Sequence, residues 1–327
     1  MKKIFALALV AVLDCVAMVA LVGCQKTEVE SVTIYAPDGA PSLAIAKIVS
    51  DGKIGDTTAT TVITTGEDVV AKAMSKQADI AVLPTNAAAK VYNVTGGEYL
   101  MFSVNVFGVL YVVGTEQLTD ITQLDGKTIQ SIGLGNTPEY VFKRVLSHKG
   151  LTVGQDGVDI VYQTDATAII PQFLAGKANF AVLGEPAVTN LIQKASTKGI
   201  TVYNLFDLQQ LWSDAIDTDT VGYPQACIIV KKDLLADKPF VSALEKALSA
   251  NSNFLTENAS TLAALMTEHG STLTVNYTAD LLARCNVNYI RANTLKQDIE
   301  TYLKEFGFVE NSSKPANNLP DGAFYFE

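Results

Sequence analysis

The sequence predicts an α/β protein of two lobes, each a largely parallel sheet covered by helices. From Val29 onward, short β-branched runs alternate with amphipathic stretches, the pattern of strands that feed helices and return in parallel. A long apolar run with no helix of its own, EYLMFSVNVFGVLYVVG at residues 98–114, then breaks the rhythm, and a second alternating series follows. Two stretches, QADIAVLPTNAAAKVY (77–92) and KANFAVLGEPAVTNLI (177–192), also share one order of small, polar, apolar, turn and helix-start residues. At 327 residues the chain exceeds one ordinary core, which agrees with two compact units.

SVTIYA (31–36) reads as the first strand and PSLAIAKIVS (41–50) as a helix with proline in its first turn. TATTVITT (58–65) and EDVVAKAMSKQ (67–77) form the second strand and helix. The strand at 79–83 and the helix opened by Thr85 and Asn86 form the third. Beyond residue 114 the series runs KTIQSIG, NTPEYVFKRVLSHKG, VDIVYQT, ATAIIPQFLAGK, ANFAVLG, EPAVTNLIQKAS and ITVYNLF. YPQACIIVKK (223–232) is a returning strand, and the remainder to Phe308 reads almost wholly as helices. The closing stretch is turn-rich, and its aromatics suggest that it docks on the body. The expected layout is therefore lobe 1 from 24–112 and 224–327, with lobe 2 from 113–223 between them.

The formal charge of −10, with lysines scattered along the chain, argues against nucleic acid as a partner. Lys2 and Lys3 precede an apolar stretch that ends in LVGC, residues 21–24, the pattern of a bacterial lipoprotein signal. Residues 1–23 are thus expected to be a removed leader, and Cys24 to carry a diacylglyceryl group. Removing them takes away two lysines and one aspartate, so the charge moves from −10 to −11. Asp14 inside the apolar stretch costs roughly 2.5–3.5 kcal/mol on insertion scales, which weighs against a retained membrane helix more than against a transient signal. Export would permit a disulfide between Cys227 and Cys285, but the two are isolated, and a pair of buried free thiols fits equally well.

Catalytic signals are sparse. His148 and His269 are the two histidines, each at the polar end of a predicted helix, where the dipole favours a solvated imidazole. No metal, nucleotide or nucleophile motif occurs. What recurs is a strand-to-helix turn bearing hydroxyl or amide residues: Ser42, the pair Thr85 and Asn86, and the pair Asn136 and Thr137. Each type is an ordinary helix cap. Brought together from two lobes onto facing sheet edges, such helix starts would offer free N–H donors and positive dipole ends to a ligand. Glu185, after a strand and before Pro186, is the sharpest single residue, either a dipole-stabilised glutamate or a carboxylate near a cleft. Tyr35, Phe107, Trp212 and Tyr223 are the aromatic candidates for flanking a planar ligand, although most aromatics in such a chain are core.

In this order, LVGC, YAPDGAPSLAIAK, ADIAVLPTNAA, GLGNTPEYVFKRVL, the EP of ANFAVLGEPAVTNL and GYPQACIIVKKDLL resemble the nitrate/sulfonate/taurine-type solute-binding proteins of ABC importers. That group includes binding proteins for thiamine precursors and riboflavin. The resemblance implies a type II periplasmic-binding-protein fold that closes around a solute, a permease as partner, anchoring to the cell membrane through lipid on Cys24, a monomeric state and no cofactor. It places ligand contacts at Ser42, Thr85, Asn86, Asn136, Thr137 and Glu185, with Asn105 and Tyr223 from the crossing segments. Arg144, Arg284 and Arg291 are the chain's arginines, and none falls at those turns, which shifts weight from nitrate or sulfonate toward a neutral or weakly charged planar compound.

An alternative on the same fold is a lyase resembling chorismate dehydratase or a pyrimidine synthase, with Glu185 as acid or base. Those enzymes are cytosolic, which a lipoprotein signal contradicts. A third reading couples the receptor to a sensor. If the leader works as described, mass spectrometry of the native protein finds a diacylated Cys24, and Cys24→Ala moves the protein from the membrane fraction to the soluble one.

Overall fold

The computed structural model describes residues 29–217 and 222–327; the leader and Cys24 lie outside the described residues. Lobe 1 begins with β1 (Ser31–Pro37), the short helices α1 (Ala40–Leu43) and α2 (Ala46–Asp51), and the hairpin of β2 (Lys53–Ile54) with β3 (Thr57–Thr64). It continues through α3 (Gly66–Met74), β4 (Ile80–Pro84), α4 (Thr85–Thr95) and β5 (Tyr99–Val106). Lobe 2 holds β6 (Leu110–Gly114), β7 (Thr128–Ser131), α5 (Thr137–His148), β8 (Asp159–Tyr162), α6 (Ala166–Leu174), β9 (Phe180–Gly184), α7 (Ala187–Ser196), β10 (Tyr203–Asp207) and α8 (Leu208–Ile216). The chain returns as β11 (Ala226–Lys231) and ends in α9 (Lys238–Ser249), α10 (Asn251–Glu257), α11 (Ala259–Glu268), α12 (Ala279–Arg284), β12 (Val287–Arg291) and α13 (Lys296–Glu305).

The sheets run β12-β5-β11-β4-β1-β3-β2 and β10-β6-β9-β7-β8. They are built alike. A parallel triple, β3-β1-β4 in one and β8-β7-β9 in the other, is followed by one antiparallel strand, β11 or β6, and then by β5 or β10. The repeated sequence pattern is the third strand of each triple with its helix. Ile80 to Leu83 and Phe180 to Leu183 are buried throughout, the continuous apolar run expected of a strand covered on both faces.

Three features depart from the expected layout. The helix expected over 41–50 is divided at Ile45, which leaves helical backbone (φ −122°, ψ 15°). The apolar run 98–114 is two strands in different sheets, joined by residues 107–109, where Gly108 takes φ +85° and a Cβ would stand 2.6 Å from Gln209 Cγ. NVNYIR, expected within helical sequence, supplies β12; an edge strand needs only one partner, so its polar residues on the open side hid it. The tail docks as expected, with Phe326 N donating to Met101 O at 2.9 Å and the Phe326 ring stacked on Phe102 at 5.4 Å.

The lobes also meet away from the crossings. Phe306, which caps the carboxyl end of α13, packs edge-on against Tyr140 of α5 at 4.7 Å and parallel to Trp212 of α8 at 5.9 Å, while Tyr302 of α13 stacks on Tyr223. This aromatic seam fastens one flank of the molecule. Ile228, fully buried in β11 between Val82 and Ser103, joins both neighbours of the returning strand. Ile228→Ala is expected to lower stability by about 2–5 kcal/mol in urea denaturation.

Candidate ligand-binding cleft

The carboxyl ends of β1, β3 and β4 face those of β7, β8 and β9 across a cavity of about 650 Å³. Two equivalent bonds hold its floor. Thr85 N donates to Gln225 O at 3.1 Å and Glu185 N to Val109 O at 3.0 Å, so the turn after the third strand of each lobe is fixed to a crossing segment. The crossings are fixed to one another by Val109 N donating to Gln225 Oε1 at 2.9 Å.

Of the residues singled out in the sequence, Asn136, Thr137 and Glu185 line this cavity. Thr137 is held by its hydroxyl, 2.8 Å from the Tyr302 hydroxyl of α13. The other five do not line it. Ser42 is buried and its hydroxyl donates to Gly39 O at 2.8 Å, leaving Gly39 itself at the cleft wall. The Thr85 hydroxyl is buried near the Cys227 thiol without a well-formed hydrogen bond; the thiol, whose pKa burial pushes up to about 12, donates to Leu83 O at 3.6 Å. Asn86 is buried between the lobes: its Nδ2 donates to Gly135 O at 3.4 Å, and its Oδ1 has no partner. Asn105 accepts from the Ser103 hydroxyl within the lobe 1 sheet. Tyr223 donates to Gln209 Oε1 at 3.1 Å and, with Trp212, belongs to the aromatic seam. Cys227 and Cys285 are free and buried.

Glu185 has a partner that linear spacing could not announce. Arg284 of α12 donates through Nε to Glu185 Oε1 at 2.8 Å and through its second nitrogen to the Thr189 hydroxyl at 3.1 Å. Thr189 N and Oγ1 each donate to the same carboxylate at 3.0 Å. The Glu185 side chain is fully buried, while Arg284 stays 39% exposed. Burial opposes the Arg284 charge, but the bond to Glu185 and the attraction of its carboxylate outweigh that and hold the guanidinium above its ordinary pKa. The expectation that no arginine reaches these turns is thereby corrected: a helix 99 residues further along delivers one, with its charge already matched.

The turns after β3 and β8 also reach the cleft, although none of their residues stands out in the sequence as a ligand contact. Thr64, Thr65 and Gly66 enter from one lobe, Gln163, Thr164 and Asp165 from the other. The signal was present: Thr65 caps α3 by accepting from Asp68 N, and Asp165 caps α6 by accepting from Thr167 N and Ala168 N. The described lining residues include Asp38, Glu67, Asp165 and Glu185 but no lysine, arginine or histidine. Asp38 is held by the Ser271 hydroxyl at 2.6 Å and by Thr272 N at 2.8 Å. Behind the wall, Glu139 accepts from Gly135 N at 2.5 Å and from Lys143; burial would raise its pKa, but these bonds win and lower it. Among the described residues, no group of three His, Cys, Asp or Glu side chains is placed to hold a metal ion.

No protein-family model matches the chain, and none of the curated proteins does. Solved structures do. An ABC transporter protein from Parabacteroides distasonis is 24% identical over 91% of this chain and 99% of that one, with a TM-score of 0.73. The alkanesulfonate-binding protein SsuA of Xanthomonas axonopodis pv. citri, bound to MOPS, is 14% identical over 89% and 94%, with a TM-score of 0.61. The periplasmic aliphatic sulphonate binding protein SsuA of Escherichia coli is 12% identical over 89% and 92%, at 0.62. The chain thus has the type II periplasmic-binding-protein fold, two α/β lobes around a cleft.

Removing the Arg284 guanidinium leaves a buried carboxylate with only the Thr189 donors. Arg284→Ala is expected to cost about 1–3 kcal/mol in chemical denaturation, and adding Glu185→Gln to recover part of the loss.

Proposed function

We propose that this protein is the extracytoplasmic solute-binding component of an ABC importer, lipid-anchored through Cys24, monomeric and without a cofactor. It captures a small planar organic solute that carries no negative charge and delivers it to a permease. The observation that carries this reading is the cleft of about 650 Å³ walled by strand-to-helix turns from both lobes, a volume suited to a small molecule. The lobes follow the bounds expected from the sequence, 24–112 with 224–327 and 113–223, moved back at the first crossing so that all of β6 (Leu110–Gly114) belongs to lobe 2. Asn136, Thr137 and Glu185 line the solute site directly, Asn86 bridges the lobes behind it, and Ser42, Thr85, Asn105 and Tyr223 support its walls.

The charge of the lining argues against an anion as the solute. Asp38, Glu67 and Asp165 stand on the described wall with no basic side chain among the lining residues, and the fourth lining carboxylate, Glu185, is already paired with Arg284. An anion entering would meet these carboxylates with no unpaired basic group among the lining residues to offset them. Both oxygens of Glu185 are engaged by Arg284 and Thr189, which removes it as a free acid or base and favours capture over turnover. Binding then acts by stabilising the closed arrangement of the lobes through the solute's differential affinity.

Isothermal calorimetry of the mature chain from residue 24, with Cys24→Ala, is expected to find a micromolar ligand among uncharged heteroaromatics and none among alkanesulfonates. A panel in which no compound binds or raises the melting temperature would count decisively against the receptor reading.

A further inference from the structure

Val94, Leu134, Val153, Tyr203 and Val309 are the large hydrophobic side chains left exposed among the described residues, and of these Leu134 also lines the cleft. It is 63% exposed. A leucine in this state holds unrealised burial that any apolar surface laid against it would collect. The question is whether the loop carrying it is slack or built.

It is built. Gly133 takes φ +74° and packs so closely on the helix start that a Cβ there would stand 2.6 Å from Pro138 Cγ. Asn136 N donates to Gly133 O at 2.9 Å, closing the turn beneath Leu134. Gly135 is held on both sides of its backbone: its N–H by the Glu139 carboxylate of lobe 2, and its carbonyl by the Asn86 amide of lobe 1. The leucine is therefore presented by a braced turn, and Ile132 and Pro138 of the same segment also line the cavity. Val70 of α3 supplies an aliphatic side chain to the cavity from the opposite lobe.

We infer that Leu134 is the specificity-determining residue of the cleft. It packs against an apolar flat face of the solute, is covered by it, and discriminates against compounds that would place a charged or strongly hydrated group there. The solute class that fits is an uncharged heteroaromatic. One face lies on Leu134, and its ring substituents meet the amides and hydroxyls of the strand-to-helix turns. This deepens the receptor reading and rests on the cleft being the solute site.

The test uses the chain from residue 24 and three probe sets: nicotinamide, uracil and adenine; choline; and taurine with MOPS. Wild type, Leu134→Ala, Leu134→Ser and Leu134→Met are compared by calorimetry, with the melting temperature of each ligand-free variant as a folding control. The melting temperatures are expected to agree, since the side chain is exposed. Affinity for the best uncharged heteroaromatic is expected to fall roughly ten- to a hundredfold in Leu134→Ala and Leu134→Ser, and to be retained within a few-fold in Leu134→Met. Wild-type binding that all three variants reproduce within twofold overturns the role of Leu134 and leaves the receptor reading standing. Tight binding of choline, taurine or MOPS in place of the heteroaromatics overturns the solute class, and no binding at all overturns both readings.

Discussion

Both lobes depend on the same two crossings. Residues 107–109 deliver β6 to one sheet and residues 222–225 deliver β11 to the other, and each arriving strand lies antiparallel beside the third strand of a parallel triple. Gly184 pairs with Leu110 and Pro84 with Ala226, so in each lobe the strand end that precedes the turn at the cleft is paired with the first strand residue past a crossing. Because N–H and C=O groups buried in a sheet must be paired, neither crossing can shift without breaking a ladder in a fully buried core. The cleft lies where it does because these pairings bring the carboxyl ends of both sheets to one place.

Around that fixed floor, the two flanks of the interface differ in chemistry. The side formed by α13 against α5 and α8 is aromatic, with Tyr140, Trp212, Tyr302 and Phe306 in contact, and each such pair contributes about 0.5–1.5 kcal/mol beyond its burial. The side formed by α7 against α12 is polar, with the Glu185 carboxylate buried and matched by Arg284 and Thr189. Apolar contact tolerates small sliding, whereas a buried charge fixes direction and distance. The flanks thus divide the work of keeping the lobes joined and keeping them in register.

Much of this order was legible in the chain. The alternation of β-branched runs with amphipathic stretches places most strands and helices of both lobes within a few residues, because periodicity and capping are local. The resemblance between residues 77–92 and 177–192 marks the two third strands that the structure puts in equivalent positions. Legibility failed where the deciding partner was distant. Asn86 and Thr85 carry the residue types of a ligand turn but are buried against Gly135 and the Cys227 thiol, while Ser42 is lost to a local bond with Gly39 of its own turn. Trp212 and Tyr223 look like ligand-stacking aromatics until α13 arrives beside them.

What the sequence determined by itself is the kind of element at each place: short strands, capped helix starts after them, two series divided by an apolar bridge, and a chain rich in carboxylates. Those follow from backbone sterics, side-chain periodicity and charge, which need no partner to be read. Tertiary structure alone decided which of the capped starts would face the cavity and which would be absorbed into packing. It also brought Arg284 to Glu185 and left Leu134 uncovered at the wall. Such outcomes depend on contacts between residues far apart in the chain, 99 positions for Glu185 and Arg284, and those distances are set only when both sheets are joined at the crossings.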